Sequence, residues 1–351
     1  MPQPDQAISS ITAATRVRRR TTAIAPGLAV AILLACVATA VGRLAPLLGA
    51  PVAGIVLGVL LSSSVGRHER LAAGIKFASK FVLQLAVVVL GSQLSLGQVA
   101  KVGGGSLPVM LGTLTVCLAL AYWLGRRLGI ATDLRTLIGV GTGICGASAI
   151  AAVSPVIKAR SNDVAYAIST IFLFNVAAVL LFPPLGHALG LSQHEFGLFA
   201  GTAVNDTSSV VAAATTYGTD AGNYAVVVKL TRTLMIIPIC LGLAALVRRR
   251  GDQIEAGSRP SVAARVLHLI PWFLIGFLLV AALNTVRVIP VSSHHALAQV
   301  SLFLITTALA GIGLSTDFAG LRRAGARPLA LGAILWVAVA TSSLLLQWAF
   351  G

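Results

Sequence analysis

Eleven apolar runs follow one another along this chain, each near the length an α-helix needs to cross a bilayer, with short polar gaps between them. They centre on residues 23–41, 44–61, 74–96, 106–124, 136–157, 164–183, 197–215, 223–247, 266–284, 296–315 and 328–350. In hydrocarbon the backbone must satisfy its own hydrogen bonds, so runs of this length read as helices. Hydrophobic residues are 57% of the 351 and charged residues 10%, which excludes a soluble globular domain. The expected fold class is an all-α polytopic membrane protein with about 9–11 transmembrane segments, two broken or re-entrant helices and inverted repeats. Residues 1–22 read as a disordered, basic cytoplasmic arm, and residues 23–350 as one transmembrane transporter domain. The gap from Arg248 to Arg265 is too short for a soluble module. Ala38-Thr39-Ala40 resembles a signal-peptidase site, but the run before it is long enough to cross and is read as a retained span.

The net charge of +16 would point to nucleic acid in a soluble protein. Here the cations sit between apolar runs, as in cytoplasmic loops, so no nucleic-acid partner is expected. If all eleven segments cross and the N-terminus is inside, eighteen Lys and Arg fall inside and five outside. One stretch fits badly: Lys158 and Arg160 lie outside, while the inside loop from His187 to Glu195 has no Lys or Arg. If segments 136–157 and 197–215 re-enter as hairpins instead, the count becomes twenty against three. The hairpins then enter from opposite faces, as inverted repeats require. Broken crossing helices are the alternative, and the charges alone leave both open.

Those two segments hold related motifs. The first is Gly141-Thr142-Gly143-Ile144-Cys145-Gly146-Ala147-Ser148, the second Gly201-Thr202-Ala203-Val204-Asn205-Asp206-Thr207-Ser208. Small and polar residues at membrane depth suit a helix that breaks so that freed backbone groups face a solute. Thr142, Gly143, Cys145, Gly146, Ser148, Thr202, Asn205, Ser208 and Ser209 are therefore candidate substrate-binding residues. Residues 220 apart also echo one another (Gly91/Gly311, Ser95/Ser315, Pro108/Pro328, Gly112/Gly332), as a duplicated chain would.

Lys229 and Arg232 stand in Val226-Val227-Val228-Lys229-Leu230-Thr231-Arg232, three residues apart and so on one helix face. Intramembrane charges are costly and mark function by default. Both are candidate anion ligands. Asp206, at the second break, is the candidate counter-ion or coupling group; one carboxylate against two cations leaves a positive site.

Other patterns carry less. Cys36, Cys117, Cys145 and Cys240 each fall in a different apolar run without a CxxC, and the six histidines form no HExxH. Neither a metal nor a cofactor is expected. Gly141 to Gly146 matches GxGxxG literally but has no soluble βαβ setting. Gly54 and Gly58 form a GxxxG that reads as bundle packing. No nucleophile and base pair is apparent, so no enzyme activity is expected.

Both motif runs, the first extended to Lys158 and the second followed by Val227 to Pro238, resemble signatures of the YeiH-type family, whose assigned role is sulfate export. The resemblance covers about residues 25–350. It implies a multi-pass protein of a bacterial inner (plasma) membrane. Asn205 departs from the His of many relatives, which bears on any proton relay there. Together these readings point to a secondary transporter exporting a small anion, such as sulfate or a related sulfur oxyanion, by alternating access. An anion channel and a proton-coupled carrier of a small organic anion are the alternatives. The expected partners are that anion and the lipid bilayer, with a homodimer left open.

Overall fold

The computed structural model describes residues 4–44, 49–65, 68–249, 271–315 and 325–350, with side chains from residue 23 onward except at 247–249. Every regular element among them is helical. In chain order these are α1 (Pro4–Leu44), α2 (Gly49–Leu61), α3 (Glu69–Phe77), α4 (Leu83–Leu90), α5 (Leu96–Arg127), α6 (Thr132–Val140) and α7 (Ala147–Val153). There follow α8 (Ser161–Ala188), α9 (Gln193–Ala203), α10 (Thr207–Tyr217), α11 (Thr219–Thr233), α12 (Ile236–Arg249), α13 (Trp272–Thr285), α14 (Val291–Leu314) and α15 (Ala326–Phe350). A π-helical turn, Ala78–Val82, joins α3 to α4. Residues 4–22, read as a disordered arm, have the backbone of the first part of α1, while their side chains, residues 1–3 and the start of the run at 266–284 lie outside the described residues.

Among the described residues, seven stretches are long and apolar enough to cross a membrane, and two shorter apolar helices, Gly49–Leu61 and Trp272–Thr285, accompany them. The two remaining runs of the eleven carry the Gly-Thr motifs, and both fold back on themselves. In the first, Gly141 lies against the side chain of Ile150, nine residues on. Ile157 and Lys158 line the same cavity as Thr132 and Thr136, so the chain returns to where it entered. In the second, Tyr217 at the end of α10 donates its hydroxyl to Leu191 O beside the start of α9. Gln193 Oε1 accepts from Asp220 N at 3.0 Å and Ala221 N at 3.2 Å, tying entrance to exit. Hairpin 1 (α6–α7) enters beside the start of α8, and hairpin 2 (α9–α10) beside its end. Of the two arrangements the charges left open, the chain adopts the re-entrant one.

The contacts gather into two compact units: Met1–Ala86 with Gln299–Thr316, and Val87–Ala298 with Asp317–Gly351. In the first, glycines let helices touch. A Cβ on Gly58 would sit 2.5 Å from Ala310 O and 2.9 Å from Gly313 Cα, so the GxxxG packs as expected. Lipid tails are as apolar as leucine, so such close van der Waals contact, rather than water exclusion, holds the helices.

The second unit holds both hairpins. Capping boxes start its key helices: Ser95 and Gln98 exchange bonds at the head of α5, and Ser192 and Glu195 at the head of α9. Leu134, Leu137, Ile138, Ile150 and Val153 pack the two arms of hairpin 1 together, with Leu331 and Leu335 of α15 against them. Phe182, Phe196, Phe199 and Val210 do the same for hairpin 2. Trp336 stacks on Phe182 at 5.1 Å, pinning α15 to α8.

Candidate functional site

The tips of the hairpins meet on α8 and α11. Hairpin 1 turns through a π-helical turn, Gly141–Cys145, and then Gly146 at φ 66°, ψ −132°. A side chain is disfavoured there on two counts. The dihedrals lie outside the regions open to L-residues, and a Cβ would come 3.2 Å from Asp206 Cβ. Hairpin 2 breaks at Val204 and Asn205, and Asp206 begins α10 in an extended conformation. Gly146 and Asp206 thus bring the two breaks into contact.

Glycine spacing sets α11 beside them. A Cβ on Gly197 would lie 3.0 Å from Ala221 O, and one on Gly201 2.7 Å from Val228 Cβ. That close seam carries Lys229, one residue further on, to the tips. Its ammonium donates to Ile144 O at 2.8 Å and to Val204 O at 2.8 Å. These carbonyls end the entering arm of each hairpin, where the helix dipole is negative. Lys229 therefore ties the two breaks together through their main chains.

Arg232 is placed differently. Its side chain is fully buried and donates from one Nη to Thr202 O. Its Nε and its other Nη have no protein partner. The same holds for the buried Thr142 hydroxyl and for both amide atoms of Asn205. Buried polar groups are nearly always bonded, so these five atoms, on two adjoining tips and one guanidinium, are candidates to meet a polar guest. An arginine suits an oxyanion because its fork presents parallel N–H donors.

The other sequence candidates divide. Asp206 is partly exposed and accepts from the Ser208 hydroxyl. Ser148 is exposed in the first turn of α7, while Cys145 and Ser209 are buried. The Thr202 hydroxyl donates to Leu198 O at 2.7 Å and lies 2.7 Å from Ser343 Oγ of α15, an interhelical bond. Gly143 gives close approach to α5, with a Cβ 3.1 Å from Leu114 Cδ1. Cys36, Cys117, Cys145 and Cys240 are free thiols.

Two contributors escaped the sequence reading. Asn175, in the middle of α8, accepts at Oδ1 from Asn205 N at 3.2 Å and Asp206 N at 3.1 Å, capping the second break. It was legible only as a lone amide in an otherwise apolar run. Ser343 gave no signal, because serines are ordinary in membrane helices.

Comparison with known proteins agrees with this architecture. The family model for conserved hypothetical protein 698 matches residues 26–332. A UPF0324 membrane protein of Streptococcus pyogenes serotype M3 is 45% identical over 93% of this chain and 97% of its own. Similar proteins, also described as UPF0324 membrane proteins, are 41% identical in Streptococcus agalactiae serotype V and 40% in Fusobacterium nucleatum. They cover 93% of this chain and 97% and 98% of their own lengths. A multi-pass helical chain that matches this family model over most of its length, and these relatives over nearly all of theirs, belongs to the family of conserved hypothetical protein 698, the UPF0324 membrane proteins.

Proposed function

We propose that this chain is a secondary transporter that exports a small anion from a bacterial cell, with its N-terminus in the cytoplasm and sulfate or a related sulfur oxyanion as the substrate class. The observation that carries this reading is Arg232, fully buried at the hairpin tips with two guanidinium nitrogens lacking a protein acceptor. A buried, part-bonded charge is costly, by several kcal/mol, unless something completes its shell. A bound oxyanion accepts from those nitrogens, and the Thr142 hydroxyl and Asn205 amide supply further contacts. Lys229 adds positive potential while its hydrogen bonds hold the tips. It positions, and Arg232 binds.

Two hairpins entering from opposite ends favour a carrier, since each can gate one side of a shared site. The family resemblance of the motif runs supports export of sulfate. Asp206, partly exposed and next to Gly146, favours proton coupling as an addition to this scheme.

Flux into proteoliposomes under an imposed pH gradient tests the reading. A carrier accumulates labelled sulfate uphill, and Arg232→Ala abolishes uptake while Asp206→Asn uncouples it from the gradient. Downhill flux alone in the wild-type protein contradicts a coupled carrier and indicates a channel.

A further inference from the structure

Away from the hairpin tips, the second unit contains a cavity of about 660 Å³ between α5, hairpin 1 and α12. Pockets that hold drug-sized ligands run from roughly 300 to 1,000 Å³. One end is polar, with Arg135, Lys158 and Asp133, and the walls are apolar, with Leu118, Ile239 and Leu243. Two cations against one carboxylate leave the mouth positive.

Three details show how this mouth is built. The Arg135 guanidinium sits 5.3 Å from the centre of the Tyr122 ring, which orients it. Lys158 has φ 53°, the left-handed region where glycine is favoured, yet the chain places a cation there. A Cβ on Gly242 would meet no atom within 4 Å, so α12 turns a bare face to the open space.

We propose that this cavity binds an anionic phospholipid, with the phosphate on Arg135 and Lys158 and one acyl chain along Leu118, Ile239 and Leu243. An inorganic anion would use only the mouth, whereas an amphiphile uses the whole length. Basic pockets between membrane helices recognise lipid head groups through this combination of charge and apolar wall. Asp133 and the Thr136 hydroxyl accept hydrogen bonds from head-group hydroxyls, which selects phosphatidylglycerol over choline lipids. Because hairpin 1 forms one wall, lipid in this cavity braces the element that carries Gly146. The site does not depend on the transport reading.

The test uses the full chain, purified and delipidated in detergent, with melting temperature and lipid retention in native mass spectrometry as readouts. Phosphatidylglycerol should raise the melting temperature and remain bound, while phosphatidylcholine does neither; any shift with inorganic phosphate should be unchanged in the Arg135→Gln, Lys158→Gln double variant. The Arg135→Gln, Lys158→Gln double variant should bind phosphatidylglycerol roughly thirtyfold more weakly, at about tenfold or less per lost cation. Gly242→Leu fills the open space, and Leu is a better helix former than Gly, so it should melt no lower in detergent alone yet lose lipid retention. Lys101→Gln, outside the cavity, should bind as the wild type does. Equal effects of phosphatidylcholine, a phosphate shift as large as that of phosphatidylglycerol and lost in the Arg135→Gln, Lys158→Gln double variant, or undiminished lipid retention by Gly242→Leu would each overturn the proposal.

Discussion

Two cations three residues apart look interchangeable in a sequence, and their surroundings separate them. Lys229 spends its donors on Ile144 O and Val204 O, while Arg232 keeps two nitrogens without a protein acceptor. Lys229→Met should therefore act mainly on stability. Leaving two buried carbonyls unbonded costs about 1–3 kcal/mol each, so the melting temperature in detergent should fall by several degrees. Arg232→Lys should fold normally and lose anion affinity, because a point-charge ammonium cannot reproduce the guanidinium fork. A variant pair with the opposite pattern, Lys229→Met stable and Arg232→Lys unfolded, contradicts this division. Asn175 is the third residue of this kind. Asn175→Leu removes the acceptor for Asn205 N and Asp206 N and should lower both melting temperature and flux. Asn175→Asp should retain much of each, since a carboxylate still accepts.

At the scale of elements, the apolar runs and their number were readable because each must satisfy its backbone alone in lipid. The reversal of segments 136–157 and 197–215 was legible only as one of two options, through Lys158, Arg160 and the uncharged His187–Glu195 loop. Their tips could not be resolved from composition. A turn depends on where the chain returns, and that is fixed by distant contacts such as Gly141 on Ile150 and Tyr217 on Leu191. The two glycines that open the motifs serve close packing: Gly141 against Ile150 and Ile171, Gly201 against Val228. Gly146 is the position where backbone geometry itself demands glycine. Gly146→Ala should cost about 1–3 kcal/mol from dihedrals that only glycine adopts freely, and a further loss follows from crowding Asp206. Gly190→Ala is the informative comparison, because it shares a φ of 66° but has nothing within 4 Å of its Cβ. If both variants lose equal stability, contact between the hairpin tips contributes nothing.

For the whole molecule, the arrangement predicts that the two hairpins open to opposite sides. In a variant lacking Cys36, Cys117, Cys145 and Cys240, Asp133→Cys and Lys158→Cys, which flank hairpin 1, should react with an impermeant thiol reagent from the same face of oriented vesicles, and Gln193→Cys from the other. Labelling of Asp133→Cys and Lys158→Cys from opposite faces would restore the broken-helix alternative. The basic end that holds Arg126, Arg127, Lys158 and Arg160 should be the cytoplasmic one, by the bias of positive charge toward that side. The central claim is that a buried guanidinium at the meeting point of two re-entrant hairpins binds the transported anion. Calorimetric titration of the purified chain with sulfate and a panel of inorganic and organic anions, set beside folded Arg232→Ala, tests it most directly. At least one anion should bind the wild-type protein and bind Arg232→Ala about tenfold or more weakly, the loss expected for a hydrogen bond to a charged group. No anion binding more weakly to the variant than to the wild type would contradict it.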